Sequence, residues 1–294
     1  MEEGWLTTAE AAGLLRMRPR TLYHLVARGV VPHARAHGRL LFDRAQLARW
    51  LASQSSGLPD PGGPEPPATI AGSHDPLLER AVRESACGFA LATVGSVDGL
   101  ERLAARGACA SLIHIPNTAS EGFNDEVVRQ RLGRLPVVCL HWARREQGLI
   151  VAPGNPRGIR TLADLARRRH RVVMRQPGAG SQLLLAKLLR EAGVDLARLR
   201  SSASLAGSET DLAETVREGL ADVGFGIRAA AHRDRLGFVP LAWETVDLVV
   251  WRRSVFEPPM QALLDYTRTR AFARHAQALT GYDVSACGKV RFNA

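Results

Sequence analysis

The stretch TIAGSHDPLLERAVRESACGFALATVGSVDGLERLAARGACASLIHI, residues 69–115, decides the fold. TIAGS (69–73) is a short apolar run ending in a turn, and DPLLERAVRE (75–84) then takes helical spacing behind an Asp cap and a first-turn proline. GFALATVGS (88–96) reads as a second strand, VDGLERLAARG (97–107) as a helix with a glycine stop, and ASLIHI (110–115) as a third strand. The same alternation runs on. PVVCLHWA (136–143) and GLIVAP (148–153) read as two strands, and TLADLARRR (161–169) as a helix. RVVMR (171–175) is a strand before the helix SQLLLAKLLREAG (181–193). DLAETVREGLA (211–221), VGFGI (223–227), WETVDLVVW (243–251) and one helical run from Pro259 to Leu279 complete the series. Repeated strand–helix units predict an α/β body with mostly parallel sheets.

Toward the N-terminus the composition breaks at SQSSGLPDPGGPEPP (53–67), which holds five prolines and too little apolar surface to order itself. It reads as a linker between a head, 1–52, and a body, 68–294. In the head, Thr7 or Thr8 caps a helix whose apolar face is Ala11, Ala12, Leu14 and Leu15. A turn at Met17–Arg18 leads to Pro19, which opens a second helix that Gly29 ends. The outward face of that helix carries Arg18, Arg20, Thr21, Tyr23 and His24, suited to base edges and phosphates in a major groove. VVPHARAHGRLLFD (30–43) reads as a hairpin turning at His37–Gly38, with Arg35, His37 and Arg39 as the cations of a wing over the sugar-phosphate backbone. A third helix from Asp43 to about Ala52 packs Leu47, Trp50 and Leu51 back on the pair.

LTTAEAAGLL, RTLYHLVARGVVP and HGRLLFDRAQLARWL together resemble the excisionase branch of the MerR-like winged helix-turn-helix superfamily, across essentially the whole head. That resemblance implies a double-stranded DNA operator as partner. A formal net charge of +10 suits a polyanion, although lysine occurs only at positions 187 and 289, and an arginine bias also follows from a GC-rich genome. A homodimer is expected, because one small head makes few base contacts and operators usually repeat half-sites.

In the body, three turns rich in glycine and serine stand directly before helices: Gly72–Asp75, Gly95–Gly99 and Gln176–Ser181. Helix N-termini supply unpaired N–H donors and the positive end of the helix dipole, glycine admits close approach, and serine adds a hydroxyl. The pattern predicts an anion site at the C-terminal ends of strands. GSHDPLL, VGSVDGLERLAARGACASLIHI, ARREQGLIVAPGNP, MRQPGAGSQLLLAKLL, VREGLADVGFGIRAAA, FVPLAWETVDLVV and GYDVSACG span residues 69–288. They resemble the molybdate-binding type of periplasmic-binding-protein-like domain found fused to helix-turn-helix heads or to molybdopterin-biosynthesis proteins. The resemblance implies a two-lobed fold of the type II kind, with lobe I at about 68–148 and 240–294, lobe II at about 153–232, and crossings near 148–153 and 233–242. It implies molybdate or tungstate in the cleft, or alternatively a molybdenum-cofactor-related metabolite or another organic anion. Ser73, Ser96, His114, Gly178, Gly180 and Ser181 are the expected neutral contacts, with Arg175 and Arg228 supplying charge. Family members carry Asn-Arg before the glycine loop and Thr-Arg after it; here Met174-Arg175-Gln176 and Ser181-Gln182 stand there instead. Tyr282 and Asp283 match a family motif or fasten the C-terminal tail.

Other classes find little support. There is no GxxxxGK[ST] loop, no well-spaced dinucleotide fingerprint and no GxSxG, so neither a cofactor nor catalysis is expected. Cys87, Cys109, Cys139 and Cys287 form no CxxC pair and predict reduced core thiols without a metal. The N-terminus has no basic region ahead of an apolar run, so no export signal is read and a cytoplasmic location is expected. An enzyme or accessory protein of molybdopterin metabolism remains the alternative of a different class.

Overall fold

A computed structural model describes residues 4–15, 17–36, 38–44, 46, 47, 50, 64–167 and 170–293. The chain divides into two compact units, Met1–Gly63 and Pro64–Ala294.

The first unit runs β1 (Trp5–Thr7), α1 (Thr8–Leu14), α2 (Pro19–Ala27), β2 (Ala34–Ala36) and β3 (Arg39–Asp43). Thr7 caps α1 in a reciprocal box: its Oγ1 accepts from the Glu10 N–H at 3.4 Å, and Glu10 Oε2 accepts from the Thr7 N–H at 2.8 Å. Gly29 leaves α2 at φ 68°, a conformation that glycine adopts without strain. β2 and β3 pair as an antiparallel hairpin with Ala36 opposite Arg39, the geometry expected of a wing. β1 was not evident in the sequence, because three residues show no alternation; it joins the sheet because Leu6 meets Phe42 in the core. Leu6, Ala11, Ala12, Leu22, Val26, Val31, Phe42 and Leu47 make that core. Asp43 Oδ1 accepts from the Gln46 N–H at 2.7 Å, as the cap of a third helix would. His37, Leu51 and linker residues 53–63 lie outside the described residues.

The second unit continues with β4 (Thr69–Gly72), α3 (Pro76–Ser85), β5 (Ala90–Thr93), α4 (Ser96–Ala104), β6 (Ala110–Ile113), α5 (Asp125–Leu132) and β7 (Val137–Val151). Then come α6 (Leu162–Arg167), β8 (Arg171–Val173), α7 (Gly180–Glu191), β9 (Arg200–Ser201), α8 (Glu209–Arg217), β10 (Val223–Ile227), α9 (Arg228–Arg233) and β11 (Gly237–Trp251). α10 (Arg252–Val255), α11 (Pro258–Thr267), α12 (Arg270–Leu279), β12 (Tyr282–Asp283) and β13 (Val290–Asn293) close the chain. The helical run expected from Pro259 to Leu279 is therefore two helices, α11 and α12. Thr269 ends its continuity by capping α12, its Oγ1 accepting from the Phe272 N–H at 3.2 Å.

Among the described residues one curled, ten-stranded sheet serves the whole unit, with main order β5-β4-β6-β11-β7-β10-β8-β9 and with β12 and β13 against β7. β4, β5 and β6 are mutually parallel, as are β10, β8 and β9, but β11 and β7 run antiparallel to each other. The sheet is thus mixed rather than mostly parallel. The expected strands 136–143 and 148–153 are one fifteen-residue strand, β7. The charged string Arg144–Gln147 reads as a break in sequence, yet it stays in the ladder opposite Ala242–Thr245 of β11. These two long strands carry the connection between two sets of cores. Ile70, Leu112, Leu140, Trp142, Leu248 and Phe272 belong to one set, with Leu100, Ile113 and Val249 beside them. Leu149, Leu165, Leu185, Phe225, Leu212 and Ile227 belong to the other. The result is a two-lobed α/β fold with its lobes on either side of the crossing strands.

Candidate ligand-binding site

The first lobe brings three strand ends together. Gly72 ends β4 at φ 115°, and a Cβ there would lie 2.3 Å from the Leu112 carbonyl oxygen, so the turn into Ser73 needs glycine. Ser73 Oγ lies 2.6 Å from Ser96 Oγ at the start of α4, and Ser96 Oγ accepts from the His114 N–H at 3.2 Å. Three expected site residues, from three separate segments, are therefore in one hydrogen-bonded group.

The second lobe approaches this group through α7. A Cβ on Gly180 would lie 2.4 Å from the His114 carbonyl oxygen and 2.6 Å from its Nδ1. The Val97 N–H donates to the Gly178 carbonyl at 3.3 Å. Gly180 therefore sets how closely the lobes meet, and the Gly178 carbonyl bonds across to α4. Ser181 follows, buried, and its Oγ has no hydrogen-bond partner among the described residues. α4 and α7 both start without a side-chain cap, whereas Asp75 caps α3 and Ser208 caps α8. The helices that start at Ser96 and Gly180 thus have no side-chain acceptor for their first N–H groups, and the Val97 N–H of α4 is met instead by the Gly178 carbonyl across the lobes.

The two arginines expected to supply charge are both paired within the chain. Buried Arg175 pairs through Nη1 with Glu209 Oε1 at 2.8 Å and donates from Nε to the Ala206 carbonyl at 3.0 Å. Its Nη2 donates to the Gly207 carbonyl at 3.2 Å, so its role is to hold the start of α8. Gln182, which stands where family members carry Arg, accepts from the Arg175 N–H at 3.0 Å. Arg228 pairs with Glu146 and lies 4.6 Å from the Phe238 ring centroid. Glu146 raises the Arg228 pKa above its ordinary value, so that charge is spent on an internal pair.

Sequence reasoning missed a buried polar network beneath these groups. Arg145, fully buried on β7, donates from Nη1 to Asp75 Oδ2 at 2.8 Å and from Nε to Glu244 Oε1 at 2.8 Å. Its Nη2 lies 2.6 Å from the same Glu244 oxygen without directing an N–H at it. Gln147 Nε2 donates to Glu244 Oε1 at 2.9 Å, and His114 Nδ1 meets Glu244 Oε2 at 2.6 Å. The Tyr282 hydroxyl donates to Asp75 Oδ2 at 2.8 Å, which fastens the C-terminal segment to the same network. Burial alone would raise the Glu244 pKa, but Arg145 and His114 outweigh it and hold the carboxyl down at about 2. The available signal was the run of charge inside an otherwise apolar strand pattern, since a buried charge requires a partner.

A surface hollow lined by Ile70, Ser73, Asp75, Leu91 and Thr93 takes none of Ser96, His114, Gly180 or Ser181 into its wall. All four cysteines are free thiols. Burial pushes Cys109 and Cys139 upward and Cys287 to about 11, so these three are not poised as thiolate nucleophiles. Among the described residues no cluster of three or more His, Cys, Asp or Glu side chains could hold a metal ion, and no helix is long and apolar enough to cross a membrane.

In the head, Arg18, Arg20, Thr21, Tyr23 and His24 are all exposed on or beside α2, and Arg35 and Arg39 are exposed on the hairpin. Leu22 and Val26 turn inward from the same helix. The basic face is open to solvent while the apolar face is covered.

The model of the PBP superfamily domain matches residues 78–268, well over half the chain. The chain belongs to the PBP superfamily. A helix-turn-helix domain matches residues 5–55, ahead of the PBP domain. YvgK of Bacillus subtilis (strain 168) is 27% identical over 304 aligned positions, covering 97% of this chain and 96% of that protein. Among solved structures, the sulfate-binding protein SubI from Mycobacterium tuberculosis H37Rv superposes with a TM-score of 0.53 at 18% identity, covering 73% of this chain and 85% of that one. A phosphate ABC transporter substrate-binding protein from Clostridium perfringens, with bound phosphate, superposes with a TM-score of 0.55 at 12% identity, covering 76% and 99%. At these identities the likeness is one of fold.

Proposed function

We propose that this protein is a one-component DNA-binding transcription regulator whose helix-turn-helix head grips an operator and whose PBP domain senses a small oxyanion. The observation that carries the sensing half is the apposition of Ser73, Ser96 and His114 with Gly180 and Ser181, two uncapped helix starts facing each other across the lobes. Hydroxyls and helix N–H groups hold an anion without a free cation, and the lobes can only meet where glycine leaves room. Lobe I at about 68–148 and 240–294 and lobe II at about 153–232 are the bodies that hinge on β7 and β11. In the head, Arg18, Arg20, Thr21, Tyr23 and His24 face the major groove, and Arg35 and Arg39 the backbone. Two copies bind a two-fold operator, and the protein acts in the cytoplasm without catalysis.

Molybdate and tungstate are the oxyanions that the sequence resemblance favours. A second reading, a molybdenum-cofactor-related metabolite or another organic anion, is the alternative that the same resemblance implies. The test has two arms on the full chain. Arg20→Ala weakens operator binding in gel shift at fixed salt by on the order of tenfold, as loss of one charged groove contact does. Molybdate or tungstate raises the melting temperature of the PBP domain's transition. Unchanged operator affinity would remove the DNA assignment. A flat thermal response to molybdate, tungstate and organic anions alike would remove the sensing assignment.

A further inference from the structure

The buried network next to the expected contacts offers a hydrogen-bond acceptor as well as donors. Gln147 is fully buried on β7, opposite Ala242 of β11 and Ile227 of β10. Its amide orientation is fixed by chemistry. Nε2 stands 2.9 Å from Glu244 Oε1, and only the NH2 end of an amide can donate to a carboxylate. The other end, Oε1, is therefore an acceptor, and it has no partner among the described residues. Leaving such a group buried without a partner is unfavourable, so a ligand that donates to it gains.

Gln147 belongs to the same connected patch as the expected contacts. It holds Glu244, Glu244 holds His114, and His114 abuts Gly180, whose neighbour Ser181 carries a buried unpaired hydroxyl. Arg145 Nη2 is ion-paired with the same carboxylate at 2.6 Å. The open groups are thus a donor or acceptor at Ser181 and an acceptor at Gln147. An anion with acceptor oxygens alone satisfies the first and leaves the second unpaired. The surrounding ion pairs leave no surplus cation, because Arg145 and Arg175 face Asp75, Glu209 and Glu244.

Building on the oxyanion-sensing reading, we propose that the ligand is an oxyanion that itself bears a hydrogen-bond donor, with Gln147 Oε1 as the acceptor that selects it. Two sources carry this chemistry: a protonated inorganic oxyanion such as hydrogen phosphate or hydrogen arsenate, and a small hydroxy acid. Molybdate, tungstate and sulfate at neutral pH present acceptors only, and rank below them.

The experiment is calorimetric titration of the full chain at neutral pH with matched pairs: phosphate against sulfate, arsenate against molybdate, and glycolate against acetate. The expected result is at least about tenfold tighter binding of the donor-bearing member of one or more pairs. Preference within an inorganic pair names a mineral ligand, and preference for glycolate alone names a hydroxy acid. Gln147→Met, which keeps length and removes the acceptor, brings that ratio toward one. Ser181→Ala weakens both members equally, and circular dichroism confirms that each variant is folded. Equal or tighter binding of sulfate, molybdate or acetate overturns the proposal while oxyanion sensing stands. Binding of none of the six overturns both. A ratio unchanged in a folded Gln147→Met protein overturns the role of Gln147.

Discussion

Replacing Gly180 by alanine tests the closeness of the lobes with a single methyl group. The added Cβ would stand 2.4 Å from the His114 carbonyl oxygen, 2.6 Å from Nδ1 and 2.7 Å from Cε1. Non-bonded heavy atoms settle at about 3.5 Å, so the contact has to open by roughly 1 Å. Neither partner can yield alone: the oxygen is backbone at the end of β6, and the ring is held by Glu244. Overpacking of this kind costs about 1–3 kcal/mol, offset by up to ~1 kcal/mol from alanine's better helix propensity at the start of α7. The net loss of about 1–2 kcal/mol lowers the melting temperature of a domain this size by roughly 2–8 °C. The same variant loses most of its ligand-dependent stabilisation, because an opened contact separates Ser181 from Ser96. Gly178→Ala is the control. Its Cβ would meet Asp98 Oδ1 at 3.5 Å and Val97 Cβ at 3.6 Å, ordinary contacts. It should stay within about 0.5 kcal/mol of the parent. Differential scanning calorimetry with and without the tightest ligand reads both effects. A Gly180→Ala protein as stable and as ligand-responsive as Gly178→Ala would refute the reasoning.

Two more predictions concern the buried polar network. Arg145→Ala leaves Asp75 and Glu244 buried without their shared countercharge and lowers stability in urea titrations by about 3–5 kcal/mol. Arg145→Lys recovers little, since one ammonium cannot direct separate donors at two carboxylates, and full recovery would show the network to be a simple charge balance. Glu244 is held at about 2 in the folded chain against an ordinary 4.5. A depressed carboxyl stabilises the fold above its unfolded value, and that contribution fades as pH falls from about 4.5 toward 2. Stability measured by denaturant titration therefore declines across that window, and less steeply in Glu244→Gln. Identical slopes for the two proteins would place the acid sensitivity elsewhere.

How much was legible in the sequence follows from how far apart the deciding residues lie. Local signals read well. Thr7 and Glu10 are three residues apart, so their capping box could be expected from spacing, and Gly29 stopped its helix as glycine does. Period-two and helical patterns located β4 to β6 and α3, α4 and α7 to within a few residues. The glycine–serine turns marked Ser73, Ser96 and Gly180 because a turn before a helix is a local event.

Residues 144–147 show where that reading fails. A string of four polar residues looks like a loop, and its membership of β7 depends on Asp75 and Glu244, about seventy and a hundred positions away. The same distance problem governs Arg175 and Arg228. Their charge was plain in the sequence, but whether it is free to meet a ligand depends on Glu209 and Glu146, which only packing brings alongside. By itself, then, the sequence determined the elements, the two-part organisation and the candidate donors, because these follow from short-range spacing. Only the tertiary structure decided which charges are already neutralised, which buried polar atoms remain open and how closely the lobes meet. Electrostatic and steric terms fall off over a few ångströms of space and take no account of separation along the chain.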